Sequence, residues 1–299
     1  MIYNIPVKRG VPMSDNISNR IDLYYNSLSK GHKKIADYIK QNYEKSSFMT
    51  AAELGRAVGI SESTVVRFAV NIGFSGYPEL QKNLQEMVKS RLTSVQRMEA
   101  AKRNDGKDFL DSAFSSDIDS IKKTLDGLSR DDFNGAVKAI NSARRIYILG
   151  VRSSASIASF AALYMGFLYD VVLIDTSATS EMFEQMLRIS EDDVCIAISF
   201  PRYSSRTVKA LKFARSRGAK IVSVTDSVIS PIAPLATYLL LAGSNMVSFV
   251  DSLTAPLSLV TALVAASADE REEDVHSSLE QLEQIWDEYH VYRTGEDDK

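Results

Sequence analysis

Five short runs rich in Ile, Val and Leu recur along the second half of this chain, at Arg145–Gly150, Val171–Ile174, Asp193–Ser199, Lys220–Thr225 and Thr237–Leu241, with helical stretches between them. Near-continuous apolar runs are what strands buried on both faces need, and strands alternating with helices build a parallel sheet covered on both sides. Residues 109–299 are therefore expected to form a doubly wound, five-stranded parallel α/β/α sandwich. Helices near Phe109–Leu125 and Asp131–Ala143 should lead into it.

Before residue 93 the pattern is helical throughout. Ser29 can cap a helix in which Ile35, Tyr38, Ile39 and Tyr43 share a face, and Thr50 can cap "AAELGRAVG" with Glu53 in the capping-box position. Gly59 then marks a tight turn, and Ser61 can cap "ESTVVRFAVNI", a helix carrying Val65, Val66 and Phe68 up to Gly73. A two-turn helix, a glycine turn and a second helix that opens with small polar residues have the shape of a helix-turn-helix. Its candidate DNA contacts are Ser61, Glu62, Ser63, Thr64 and Arg67: short side chains let the backbone approach a phosphate, and Arg67 can reach a base edge. An ordinary helical hairpin is the plainer alternative. His32, set among Lys30, Lys33 and Lys34, reads as part of a solvated basic face. The expected division is a helix-turn-helix domain over 1–92, a polar linker over 93–108 and the sandwich over 109–299.

Charge supports that division. Residues 1–103 carry 16 Lys and Arg against 9 Asp and Glu, a net of +7, whereas 104–299 carry 19 against 29, a net of −10. A basic segment suits a phosphate backbone. The single cysteine, Cys195, lies in the apolar run Val194–Ile198, so no disulfide can form within the chain. The N-terminus has no apolar signal core, and no run reaches the roughly 18 residues of a membrane span. A cytoplasmic protein without membrane association is expected, and nothing in the sequence calls for a cofactor or metal.

In an open parallel sheet, ligands bind beyond the carboxyl ends of the strands, where strand order reverses. Two of those ends are rich in hydroxyls: Gly150-Val151-Arg152-Ser153-Ser154 after the first strand, and Ser199 through Thr207 after the third. Each loop feeds a helix, so hydroxyls, backbone amides and the helix dipole can converge on an anion, with Arg152, Arg202 and Arg206 adding charge. Candidate ligand residues are Gly150, Arg152, Ser153, Ser154, Ser199, Arg202, Tyr203, Ser204 and Thr207. Alternatively, Ser153, Ser204 and Thr207 only cap helices. Thr225, Asp226 and Ser227 at a third strand end either line the site or form a turn.

These segments resemble a known family. "MTAAELGRAVGISESTVVRFAVNIGFSGYPELQKNL" is similar to the winged-helix-type N-terminal domain of RpiR-type bacterial transcription regulators. "YILGVRSSASIA", "CIAISFPRYSSRTVKALKFARSRGAKIVSVTDS" and "SPIAPLATYLL" resemble the sugar isomerase (SIS) domain that follows it. The resemblance implies a homodimer or homotetramer, a double-stranded DNA operator, and control by a small anionic sugar-type effector, commonly a phosphosugar. It places Ser154 at the phosphate-binding serine of the first loop and starts the second serine loop at Ser199. This chain departs from the family's G-x-G-x-S at Arg152, and from its S-x-S-G-x-T through Pro201, Arg202 and Tyr203.

A sugar-phosphate isomerase is the enzymatic alternative, and it needs a positioned acid and base. Glu181 and Glu184 are the candidate bases, while His276 and His290 lie in the C-terminal helical region. There Leu279, Leu282, Ile285, Trp286 and Tyr289 form an apolar stripe, expected to pack on its own domain or on a sister subunit. The basic helical half, which an isomerase does not need, favours the regulator.

Overall fold

The computed structural model describes residues 17–91, 93, 95–96, 108–246 and 250–292. The expected linker, 93–108, lies outside those residues except at 93, 95–96 and 108. The chain divides into two compact units, Met1–Asp105 with Val228–Pro234, and Gly106–Ser227 with Leu235–Lys299.

The first unit contains α1 (Ile17–Tyr24), α2 (Lys30–Gln41), α3 (Tyr43–Phe48), α4 (Ala51–Val58), α5 (Glu62–Asn71) and α6 (Tyr77–Arg91). Among the described residues it has no strand, so the wing that the resemblance implied is not found there. Local chemistry sets the helix starts. Ser29 accepts the His32 N–H, and Thr50 and Glu53 satisfy each other's backbone N–H at 3.2 and 2.8 Å. Each such cap is worth about 1 kcal/mol. Ile35, Ile39, Leu54, Val65, Phe68, Ile72, Leu80 and Leu84 fill the core between the helices.

In the second unit α7 (Phe109–Gly127) and α8 (Arg130–Ser142) precede a sheet of β1 (Ile146–Gly150), β2 (Val171–Leu173), β3 (Val194–Ile198), β4 (Lys220–Thr225) and β5 (Tyr238–Leu241). All pairings are parallel, in the order β2-β1-β3-β4-β5. The connecting helices are α9 (Ser154–Met165), α10 (Thr179–Gln185) and α11 (Ser205–Ser216); α12 (Thr254–Asp269) and α13 (Glu272–Glu288) follow. Because side chains alternate along a strand, Ile146, Ile148, Ile196, Ile198, Val222 and Val224 share one core with Ile140 of α8, Ile157 and Ala161 of α9, and Leu263 of α12. The intervening Tyr147, Leu149, Cys195, Ala197 and Ile221 are fully buried as well, on the face where α11 packs against β3 and β4. Burial on both faces is why these strands read as unbroken apolar runs, and a doubly wound parallel sheet results.

At the amino end of the sheet the fully buried Asp193 accepts from Arg144 Nε at 3.0 Å, Arg144 Nη2 at 2.7 Å and the Ser190 N–H at 2.7 Å. Burial alone would raise its carboxyl pKa, but these bonds hold it below the usual value. These contacts tie the segment before β1 to the turn before β3. No described helix is long and apolar enough to cross a membrane.

Candidate functional site

β1 and β3 are neighbours, with Gly150 opposite Ile198, while β2 flanks β1 and β4 flanks β3. Strand order reverses between β1 and β3, and the loops leaving their carboxyl ends emerge side by side at this switch point. The structure brings together the two hydroxyl-rich loops expected from sequence.

Glycine is required at the mouth of the first loop by packing. A Cβ on Gly150 would lie 2.3 Å from the Ser154 carbonyl oxygen, so Gly150 lets α9 start directly against the sheet. Two residues on, Arg152 adopts the left-handed region with φ 59°, a conformation that costs a residue with a Cβ about 1–2 kcal/mol. Where the G-x-G-x-S pattern that this loop resembles would have glycine, the chain keeps a glycine-like backbone and adds an exposed cation. Ser153 is exposed and occupies the N-cap position of α9, yet its hydroxyl makes no capping bond. The capping alternative for Ser153 is thereby corrected. Ser154 is buried.

In the second loop Ser199 is buried, and its carbonyl accepts the Thr225 hydroxyl at 2.7 Å. Tyr203 donates its hydroxyl to Asp226 at 2.7 Å, pinning this loop to the end of β4. Ser204 caps α11 by accepting the Arg206 N–H at 3.2 Å. Arg202 is exposed. Arg206 is turned away from the role of anion ligand: Nη1 donates to the carbonyls of Thr176 and Ser177 at 2.8 and 3.2 Å, tying α11 to the loop after β2. In that loop the Ser177 N–H bonds Asp175 and holds its carboxyl below the usual pKa range. Thr207 is fully enclosed, and its Oγ1 has no hydrogen-bond partner among the described residues. Thr207 therefore faces the packed interior beneath α11, and the accessible hydroxyls of the loop are those of Ser204 and Ser205. Among the described residues no cluster of three or more His, Cys, Asp or Glu forms a metal-ligand set.

In the first unit, Gly59 ends α4 in the left-handed conformation with φ 68°, and α5 packs across α4. Ser61 stands at the N-cap of α5, but its hydroxyl takes no backbone N–H, contrary to expectation. It lies instead 3.1 Å from Ser63 Oγ and 2.8 Å from Thr64 Oγ1, which in turn accepts from Arg67 Nη2 at 3.3 Å. The first turn of α5 thus carries a connected polar surface of Ser61, Ser63, Thr64 and Arg67, with Glu62 exposed beside it. Leaving the amides at that helix start uncapped by side chains suits an anion-binding end.

His32 corrects another expectation: it is buried, its ring edge-on to Phe68 and its Nδ1 3.2 Å from the Asn71 amide. Val66 has no orientation assigned from sequence on this helix, and Val70 is not considered there; both are exposed. At 100° per residue the buried Val65, Phe68, Ala69 and Ile72 turn both valines outward.

Comparison with known proteins matches the same two regions. Residues 15–91 fit the family model "Helix-turn-helix domain, rpiR family", and residues 139–266 fit "SIS domain". An HTH-type transcriptional regulator of Haemophilus influenzae is 28% identical over 90% of this chain and 95% of its own length. The regulator HexR of Pseudomonas aeruginosa is 29% identical over 74% of this chain and 77% of its own length. Among solved structures, the Vibrio vulnificus NanR protein complexed with ManNAc-6P has the same fold, with a TM-score of 0.59 at 21% identity over 93% of this chain and 100% of that one. With a helix-turn-helix of this type followed by a SIS domain on one chain, the protein belongs to the RpiR-type transcriptional regulators.

Proposed function

We propose that this regulator's operator binding is controlled by a small anionic sugar derivative, of the phosphosugar class, held between the loop after β1 and the loop after β3. The observation that carries this reading is the register of Gly150 against Ile198, which sets the loops side by side at the switch point of the sheet, where open parallel sheets bind ligands. Arg152 and Arg202 supply charge, Ser153 and Ser204 supply hydroxyls, and the buried Ser154 and Ser199, with Gly150 and Tyr203, fix the loops and their helix-start amides. The NanR relative, solved with a phosphosugar, supports the ligand class. We assign the double-stranded operator to the first turn of α5, through Ser61, Glu62, Ser63, Thr64 and Arg67, and the workplace to the cytoplasm.

The same reading makes the protein a binder, not an isomerase. Glu181 and Glu184 are exposed on α10, and His276 sits on exposed α13 paired with Glu280 at 3.6 Å, which supports no acid/base pair at the loops. The assembly is a homodimer or homotetramer. Leu279, Ile285 and Tyr289 are 41, 49 and 70% exposed, and Phe109, Phe114 and Ile118 of α7 are 67, 65 and 51% exposed, which favours a sister subunit over the parent domain as the cover for these faces.

One titration tests the effector reading. The full chain on a duplex selected from a random-sequence pool is titrated with a panel of hexose and pentose phosphates, then with the unphosphorylated sugars. A phosphorylated member that shifts occupancy while its parent sugar does not is the expected result. Turnover of the same sugars, lost in Glu181→Gln, would overturn the reading in favour of the isomerase.

A further inference from the structure

The outward face of α5 carries two apolar side chains that the fold does not use. Val66 is 38% exposed and Val70 is 52% exposed, while Val65, Phe68, Ala69 and Ile72 are essentially inaccessible. At 100° per residue the buried set occupies one side of the helix. Ser63, Val66, Arg67 and Val70 share the other side, with Val66 and Val70 one turn apart as i, i+4 neighbours. A single exposed valine needs no explanation. Two stacked β-branched residues are a poorer choice for a solvated helix face than Lys, Glu or Ala, because they lose side-chain freedom in the helix.

Their neighbours identify what covers them. The strip runs beside Arg67, whose guanidinium reaches Thr64 Oγ1 at 3.3 Å, and behind the hydroxyls of Ser61 and Ser63, which lie 3.1 Å apart. A cation and hydroxyls flanking an apolar strip on the second helix of a helix-turn-helix match the floor of a major groove. There the only apolar group on any base edge is the thymine 5-methyl. The net charge of +7 over residues 1–103 points the same way, toward a polyanion.

We infer that Val66 and Val70 form a methyl-reading strip that contacts thymine 5-methyl groups in the operator and so sets its sequence preference. The inference rests on α5 being the DNA-reading helix and adds to it a base and an atom. The valines add discrimination at thymine to whatever Arg67 and the hydroxyls contribute.

The test removes one methyl at a time. The full chain selects a duplex from a random-sequence pool, and each thymine of that duplex is then replaced singly by deoxyuridine, which lacks only the 5-methyl. Expected is a loss of about fourfold in affinity at one or two positions per half-site, the worth of one desolvated methyl group. Val66→Ala and Val70→Ala, both at exposed positions, should bind the thymine duplex with the same loss and no longer distinguish uracil at the partnered position. Tolerance of uracil at every position, a selected site without thymine, or variants that discriminate as well as the parent would each overturn the strip while leaving the DNA-binding reading intact. Recovery of no duplex at all would overturn that reading, and the strip with it.

Discussion

The imidazole of His32 on α2 stands edge-on to the Phe68 ring of α5, with centroids 5.8 Å apart and planes at 69°. Through this contact, and through Asn71 at 3.2 Å from Nδ1, α2 supports α5, the helix to which we assign the operator. Burial first, and then the positive charge of Arg67, lower the imidazole pKa, with a hydrogen bond to the Thr64 backbone opposing them. The folded state therefore favours the neutral ring, while the unfolded chain titrates near 6.5. As pH falls below 6.5 the unfolded chain takes up a proton that the folded one resists, so stability present at pH 7 is lost on acidification. An NMR titration of the His32 ring should give a midpoint below 6.5, and thermal melts between pH 7 and 5 should show a shallower decline in His32→Gln. A midpoint at or above 6.5 contradicts the burial argument.

Arg67 is exposed at the first turn of α5 and held toward Thr64. Arg67→Ala should weaken operator binding roughly 5- to 150-fold if the guanidinium is bidentate to a base edge, a contact worth about 1–3 kcal/mol. Arg67→Lys separates the roles, because lysine keeps a phosphate contact but not a planar fork. Recovery by lysine, with loss of affinity uniform across unrelated duplexes, would assign Arg67 to the backbone. Melting should be unchanged in both variants.

Much of this was legible in the chain itself, and what was missed has physical causes. Strands buried on both faces announce themselves, because each position must be apolar whichever way it points, and all five runs became strands. The two hydroxyl loops were legible because each follows such a run. His32 was misread because three lysines surround it. Yet it lies three and seven residues before the buried Ile35 and Ile39, a helical spacing that places it on the inner face. Val66 was given no orientation, although the helical period, counted strictly, turns it outward. The polar web over Ser61, Ser63 and Thr64 and the left-handed backbone of Arg152 depend on rotamers and dihedrals that residue types do not specify.

Two glycines separate crowding from backbone freedom. Gly150→Ala drives a methyl to within 2.3 Å of the Ser154 carbonyl oxygen, so α9 must shift, at a cost typical of overpacking, about 1–3 kcal/mol. Gly59→Ala meets nothing within 4 Å but must hold φ 68°, at about 1–2 kcal/mol. Melts of both variants should drop by several degrees. Only Gly150→Ala should also disturb effector response, because only Gly150 sets the position of the β1 loop.

Arg152 distinguishes a structural loop residue from a ligand residue. Its left-handed backbone, φ 59°, is strained by about 1–2 kcal/mol, and glycine removes that strain while raising the entropy of the unfolded chain by about 0.4–1 kcal/mol. Arg152→Gly should therefore leave melting within about 1 kcal/mol of the parent. It also restores the glycine spacing of the family pattern, so the loop geometry should survive. If the cation holds the effector's anionic group, the phosphosugar concentration that half-shifts operator occupancy should rise roughly 10- to 150-fold, as for a charge-assisted hydrogen bond worth about 1.5–3 kcal/mol. Affinity for DNA without effector should stay as it was. An unchanged effector midpoint would remove Arg152 from the site and leave its charge unexplained, whereas a melting loss of several kcal/mol would show that the arginine side chain, not the backbone beneath it, shapes the loop.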